Sequence, residues 1–246
     1  MNFTDPIAVQ MRKVNNSVLI AGSKLTGDGK KQRDYFNIFR DECVVVSDGC
    51  SDVVHGEVAS KLAGETALWG YKLIRQRPFY WADRRLLLRR IFRSSNLTIW
   101  QKHREKGFET GLTTTLAVVI VGGHKFWVGT AGDTRVLLYR EGLIDILTPT
   151  DVDQIGALTR ALGCKRLGLV PHVVVEKMLL RDTILIATAG VIDFLDEEQL
   201  RVTFEVTGDT EESVTNSVTH LLSTAAENGS QGSLTACIIK RIRREE

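Results

Sequence analysis

Only four of the 246 residues are proline and only four are cysteine, and no serine- or glycine-rich tract or internal repeat divides the chain. With no stretch that would serve as a linker, residues 1–246 read as a single domain. Cys43, Cys50, Cys164 and Cys237 are scattered and form no Cys-x-x-Cys pair, which argues against a disulfide framework and against a zinc site. Apolar runs fall short of the roughly 18 residues that span a bilayer. The opening Met1-Asn2-Phe3-Thr4-Asp5-Pro6 lacks the basic-then-apolar order of an export signal. These absences lead to the expectation of a cytoplasmic protein with no membrane contact. An excess of one charge is missing as well: 32 Lys and Arg stand against 30 Asp and Glu, a formal charge of +2. No overall field therefore draws the chain to nucleic acid or to an anionic surface. The five histidines, His55, His103, His124, His172 and His220, are dispersed, with none at metal-ligand spacing from another.

What is present is a 43% hydrophobic content arranged mostly in short β-branched runs. They cover 17–22, 42–47, 114–121, 125–130, 134–140, 143–147, 172–176, 183–188 and 234–240, several joined by turn-length connections containing glycine. Such neighbours pair as antiparallel hairpins. Helical periodicity marks 57–75, with Val58, Leu62, Thr66, Trp69 and Leu73 on one face, and 84–105, with Leu87, Ile91 and Ile99. A third helix is expected over 211–228, where Val214, Val218, Leu221, Leu222 and Ala225 share a stripe and Gly229 supplies the stop. Trp69 and Trp100 read as core or helix-to-sheet packing. Helices inserted after the second strand and before the last, around a middle of hairpins, predict an α+β fold of two packed antiparallel sheets flanked by helices. Arg84, Arg85, Arg89, Arg90 and Arg93, with Lys240, Arg241, Arg243 and Arg244, are the only basis for a nucleic-acid reading. On the helix they fall opposite Leu87 and Ile91, as a solvated face does, which weighs against nucleic acid as a partner.

Several strands end on an acid beside a glycine. In Val44-Val45-Val46-Ser47-Asp48-Gly49 the glycine permits a tight turn, so a carboxylate and a backbone carbonyl can be offered together to a hard cation such as Mg²⁺ or Mn²⁺. Asp-Gly also makes ordinary turns, as does the corner at Gly132-Asp133-Thr134-Arg135. Taken in order, however, seven segments are in register with one family. They are Lys31-Gln32-Arg33-Asp34-Tyr35-Phe36, Val46-Ser47-Asp48-Gly49 with Gly56-Glu57-Val58-Ala59-Ser60, Gly111-Leu112-Thr113-Thr114-Thr115, Gly132-Asp133-Thr134-Arg135, Leu158-Thr159-Arg160-Ala161-Leu162-Gly163, Ala187-Thr188-Ala189-Gly190-Val191-Ile192-Asp193 and Gly229-Ser230-Gln231-Gly232-Ser233-Leu234-Thr235. Over nearly its whole length the chain resembles the metal-dependent Ser/Thr protein phosphatases of the 2C (PPM) type. The resemblance implies an α-β-β-α sandwich and phosphate-ester hydrolysis by water held between two divalent ions. By the same resemblance Asp48 takes the place of the bridging carboxylate, Gly49 of the carbonyl ligand and Asp34 of the second acid of the first motif. Asp133 and Asp193 fall where some members hold an additional, weaker metal.

The departures from that pattern are specific. Arg33 stands where the first motif has glutamate, Ala189 where the Ser-Asp-Gly motif has aspartate, and Gly232-Ser233 where an Asp-Asn pair is expected. Cys50-Ser51-Asp52 replaces the glycines that usually follow Asp-Gly, and the stretch between Leu147-Thr148 and Leu158-Thr159-Arg160, the substrate-selecting flap of the family, is short. Two unit positive charges about 4 Å apart repel by ~4 kcal/mol at an effective dielectric near 20, and a dication repels more. Arg33 and a metal should therefore exclude one another, and a bidentate pairing of Arg33 with Asp48 is expected instead. The sequence thus predicts a pseudophosphatase with no resident cofactor, a binding or regulatory module in Ser/Thr phospho-signalling whose partner is a protein such as a Ser/Thr kinase or a phosphoprotein. A second reading has Asp34, Asp48, Asp133 and Asp193 gather one Mg²⁺ or Mn²⁺ and support slow Ser/Thr phosphatase activity.

Overall fold

The computed structural model describes residues 10–12, 18–27, 31–50, 54–77, 83–109 and 111–243. Ser17, Ser51, Asp52, Arg244 and the opening Met1 to Pro6, all considered above, lie outside the described residues. Four strands come first: β1 (Gln10–Arg12), β2 (Val18–Thr26), β3 (Asp34–Phe39) and β4 (Cys43–Asp48). Two long helices follow, α1 (Gly56–Arg75) and α2 (Arg84–His103). Next are β5 (Leu116–Gly122), β6 (Lys125–Ala131), β7 (Arg135–Arg140), β8 (Leu143–Ile146), β9 (His172–Lys177) and β10 (Thr183–Ala187). The chain closes with α3 (Ala189–Ile192), α4 (Glu197–Val206), α5 (Glu211–Glu227) and β11 (Ser233–Arg241).

The strands form two antiparallel sheets, ordered β1-β2-β11-β10-β7-β8 and β3-β4-β5-β6-β9. Their facing sides bury Ile20, Ile38, Val46, Val119, Phe126, Ile186 and Ile239 between them. On the outside of the first sheet, Val214, Val218, Leu221 and Leu222 of α5 and Phe204 of α4 cover Leu185 and Ile238. On the outside of the second, α1 and α2 cover Val45, Val118 and Ile120. Four layers result, the α-β-β-α sandwich of the α+β class, with helices where the amphipathic stripes required them. The stripe of α5 is the expected one, and Gly229 ends the helix with φ +101°.

Three expectations are corrected. The large side chains of α1 are not its buried face: Ala59, Ser60, Ala63, Gly64, Ala67, Leu68 and Tyr71 are buried, whereas Trp69 is 65% and Leu73 40% exposed. The helix lies too close to β3 and α2 for bulk, since a Cβ at Gly64 would meet the Tyr35 ring at 2.2 Å. Trp100 is half-buried rather than core, with the guanidinium groups of Arg104 and Arg166 near its ring. Finally, β3 and α4 are present where no strand or helix was expected.

Candidate functional site

The antiparallel register of β3 and β4 sets Asp34 directly opposite Asp48. This places two carboxyl groups at the edge of the inter-sheet core, beneath a cleft of about 760 Å³. Asp34 is only 5% exposed; its backbone N–H donates to Gln32 Oε1 at 2.8 Å and its Oδ2 accepts from Thr188 Oγ1 at 3.2 Å. Burial pushes the Asp34 carboxyl up to about 6, although hydrogen bonds from Thr235, Asp48 and Thr188 oppose the shift. Burial also holds Asp48 well above the usual carboxylate range, and the charges of Asp34 and Asp133 and a hydrogen bond from Asp48 to Asp34 reinforce it. The Oδ1 atom of Asp34 is buried with no hydrogen-bond partner among the described residues. Burial thus biases both carboxyls of the facing pair toward the protonated form.

The backbone around this pair is tightly determined. Asp48 N–H donates to Thr115 Oγ1 at 3.0 Å and its carbonyl accepts from Thr114 Oγ1 at 2.7 Å, which is what the threonines of Gly111-Leu112-Thr113-Thr114-Thr115 do. Gly49 N–H donates to the Arg33 carbonyl at 3.2 Å. A Cβ on Gly49 would lie 2.2 Å from the carbonyl oxygen of Gly56 at the start of α1, so no side chain fits there. Arg33 N–H donates to Ser233 Oγ at 2.8 Å, and Ser60 Oγ donates to the Arg33 carbonyl. Two of the substituted positions, 33 and 233, are thus joined to each other by protein hydrogen bonding.

Arg33, Ala189, Gly232 and Ser233 all line the cleft together with Asp48, Gly49 and Asp133. Asp193 does not: it caps α3 and pairs with Arg135 at 3.0 Å. Asp133 is raised by burial first, with Asp193 and Asp151 adding repulsion and Arg135 opposing it. The bidentate pairing expected between Arg33 and Asp48 is not formed; Arg33 acts on Asp48 through its charge, pulling against the burial that raises it. Its main chain, held at both N–H and carbonyl, does not bring the guanidinium to the carboxyl at hydrogen-bond distance.

Among the described residues the lining charges are two acids, Asp48 and Asp133, against two bases, Lys31 and Arg33. Two dications bring four positive charges to a site of this kind. Among the described residues no three His, Cys, Asp or Glu side chains are grouped to hold a metal ion. The donor set therefore does not fit a two-metal centre.

A neighbouring network was not expected. Asp151 Oδ2 accepts from Gly132 N–H at 3.1 Å, while its Oδ1 accepts from His172 Nε2 at 3.0 Å and lies 3.3 Å from Arg160. It anchors the short flap, a hairpin closed by the Val152 to Leu158 bridge and by Asp153 N–H donating to the Ala157 carbonyl at 2.9 Å. Gly156, Ala157 and Leu158 of this hairpin line the cleft, and Ile155 at its tip is 88% exposed. Aspartate followed by a hairpin-length return was the available signal; the distant histidine was not legible from spacing.

No family model matches the chain, and no curated protein sequence matches it. Solved structures do. The catalytic domain of the serine/threonine protein phosphatase PstP, in complex with two manganese ions, is 18% identical over 92% of this chain and 99% of its own, with a TM-score of 0.77. The PPM Ser-Thr phosphatase MsPP from Mycobacterium smegmatis, in complex with cacodylate, is 21% identical over 91% and 98%, with a TM-score of 0.73. PppA of Pseudomonas aeruginosa, a regulatory component of its T6SS, is 20% identical over 90% and 96%, with a TM-score of 0.72. Among the described residues no helix is long and apolar enough to cross a membrane.

Proposed function

We propose that this chain, which carries the fold of the PPM-type Ser/Thr phosphatases, is a pseudophosphatase: a non-hydrolytic binding or regulatory module in Ser/Thr phospho-signalling that needs no metal. One observation supports this reading above the others. Where a two-metal site requires converging negative oxygens, the described residues lining the cleft carry equal numbers of acids and bases, and burial raises both Asp34 and Asp48 toward their protonated forms. A carboxyl biased toward its protonated form is a weaker ligand for a hard cation, because the ion must displace that proton. Arg33 adds a fixed positive charge that no change of pH removes. The neighbouring substitutions act in the same direction: Ala189 and Gly232 have no side-chain oxygen, and the oxygen of Ser233 is engaged by Arg33 N–H.

In this reading the chain's own residues hold the cleft open and shaped without ions. Asp48 and Asp34 face each other across β3 and β4, Thr114 and Thr115 fix the β4 end, and the Asp151 network fixes the flap. The cleft and its rim then serve to hold a protein partner, such as a Ser/Thr kinase or a phosphoprotein. The proximity of Asp133 to Asp48 favours a second reading, in which a single ion sits between those two acids and supports slow hydrolysis.

Calorimetric titration with Mn²⁺, paired with an assay of p-nitrophenyl phosphate hydrolysis, decides between them. The proposal predicts no binding at micromolar affinity and no hydrolysis that Asp48→Ala removes; two ions at micromolar affinity with such hydrolysis would refute it. The combined substitution Arg33→Glu, Ala189→Asp and Gly232→Asp is expected to create Mn²⁺ binding. Space for it exists, since a Cβ at Gly232 meets nothing within 4 Å.

A further inference from the structure

We propose that the outer face of α2, continued by the segment after Gly163, is a docking surface for an acidic protein segment bearing apolar side chains. None of the residues lining the cleft belongs to α2, so the surface is distinct from the site described above. Arg85, Arg89 and Arg93 are exposed and recur every four residues, on one side of a helix whose sequence contains no acid. At the other end of that helix, Asn96 Nδ2 donates to the carbonyls of Lys165 at 2.8 Å and Arg166 at 3.2 Å, which pins that strand of chain against α2. Arg166 and the C-capping Arg104 both lie over the Trp100 ring, at 5.3 and 4.9 Å. The cationic stripe from Arg85 to Arg104 is roughly 28 Å long at about 1.5 Å per residue.

Charge is what makes this face unusual. Among the described residues none of Arg85, Arg89, Arg93, Arg104, Lys165 and Arg166 lies within ion-pair distance of a carboxylate, whereas Lys102 of the same helix pairs with Glu105. Surfaces of neutral proteins ordinarily intersperse the two signs, and this chain is close to neutral overall, at +2. Six uncompensated cations on one face create a local potential that attracts a negative partner and sets its orientation.

The apolar neighbours choose the class of partner. Leu167 and Val170, on the pinned segment, are 62% and 57% exposed. A phosphate backbone would leave them wet, whereas a segment that alternates carboxylates with aliphatic side chains buries them. Trp100 offers a base little, because two guanidinium groups already cover its ring. Arginine forks match carboxylates in bidentate geometry, so each exposed arginine provides a specific contact as well as a charge.

The test is fluorescence anisotropy with a labelled peptide of alternating glutamate and leucine, run beside a labelled DNA duplex of random sequence. The wild-type chain is expected to bind the peptide more tightly than the duplex, and to lose about tenfold in affinity between about 50 and about 300 mM NaCl. Arg85→Glu/Arg89→Glu/Arg93→Glu should weaken peptide binding by about tenfold or more without lowering the unfolding temperature, because the three side chains are exposed. Should that variant fold poorly, Lys165→Glu/Arg166→Glu reports on the same surface from the other segment. Absence of peptide binding, binding unchanged by both variants, or a duplex held more tightly through the same arginines would overturn the proposal. Since the cleft is untouched in every variant, the outcome is independent of whether the cleft binds metal.

Discussion

Buried Asp34 and half-buried Asp48 face each other across an antiparallel pair, and their mutual repulsion together with burial favours the protonated form of both. Each carboxyl titrates higher in the folded protein than in the unfolded chain, Asp34 rising from 3.8 to about 6 and Asp48 well above its ordinary value. The folded state therefore gains stability from being protonated. That gain is complete below the unfolded value and is lost as pH rises through the folded ones. Because a tenfold change in a group's proton affinity is worth about 1.4 kcal/mol, the thermal midpoint is expected to be several degrees higher at about pH 5 than at about pH 7.5. Asp48→Asn removes one of the two facing carboxyls and offers Asp34 an amide N–H donor at every pH. Calorimetric scans should show this variant more stable than wild type at neutral pH, with a flatter pH dependence; a midpoint that falls on substitution would show that Asp48 is held as a carboxylate. Sequence reading located both residues and the substitutions around them, because side-chain identity is all that the charge balance requires. It misplaced the Arg33 guanidinium, because where a side chain points depends on the backbone, and the Arg33 N–H donating to Ser233 and its carbonyl accepting from Ser60 and Gly49 are contacts that no spacing reveals.

For the elements, α1 is the instructive case. Its large apolar residues recur at helical period, yet the helix packs through Ala59, Ala63, Gly64 and Ala67, since only small side chains let it approach β3 and α2. Trp69→Ala is accordingly expected to change unfolding free energy by no more than about 0.5 kcal/mol, whereas Ala67→Leu, inserting bulk at a fully buried position, should cost about 1–3 kcal/mol. Denaturant titration of the two variants checks this, and the reverse order would restore the face that periodicity selects. Periodicity did identify α2 and α5, whose large residues are the ones buried. The strand β3 escaped notice because Asp34-Tyr35-Phe36-Asn37-Ile38-Phe39 is an edge strand that mixes polar and apolar side chains on both faces. The helix α4 carried a readable signal, the reciprocal cap between Asp196 and Gln199, in a segment too short to show periodicity.

Across the whole molecule, the fold was legible because hairpins and amphipathic helices alternate in an order that few layered arrangements satisfy. The same scaffold in PstP is seen with two manganese ions; here the described residues lining the cleft carry as many bases as acids. A sandwich of this kind does not need ions to stand, since its cores lie between the sheets and under the helices. On the proposed reading, a folded cleft and flap remain available for binding without metal. The most direct measurement is anomalous diffraction at the manganese edge from crystals soaked in Mn²⁺. The account predicts no paired peaks beside Asp48; two ordered ions there, each with a full shell of protein and solvent oxygens, would contradict it.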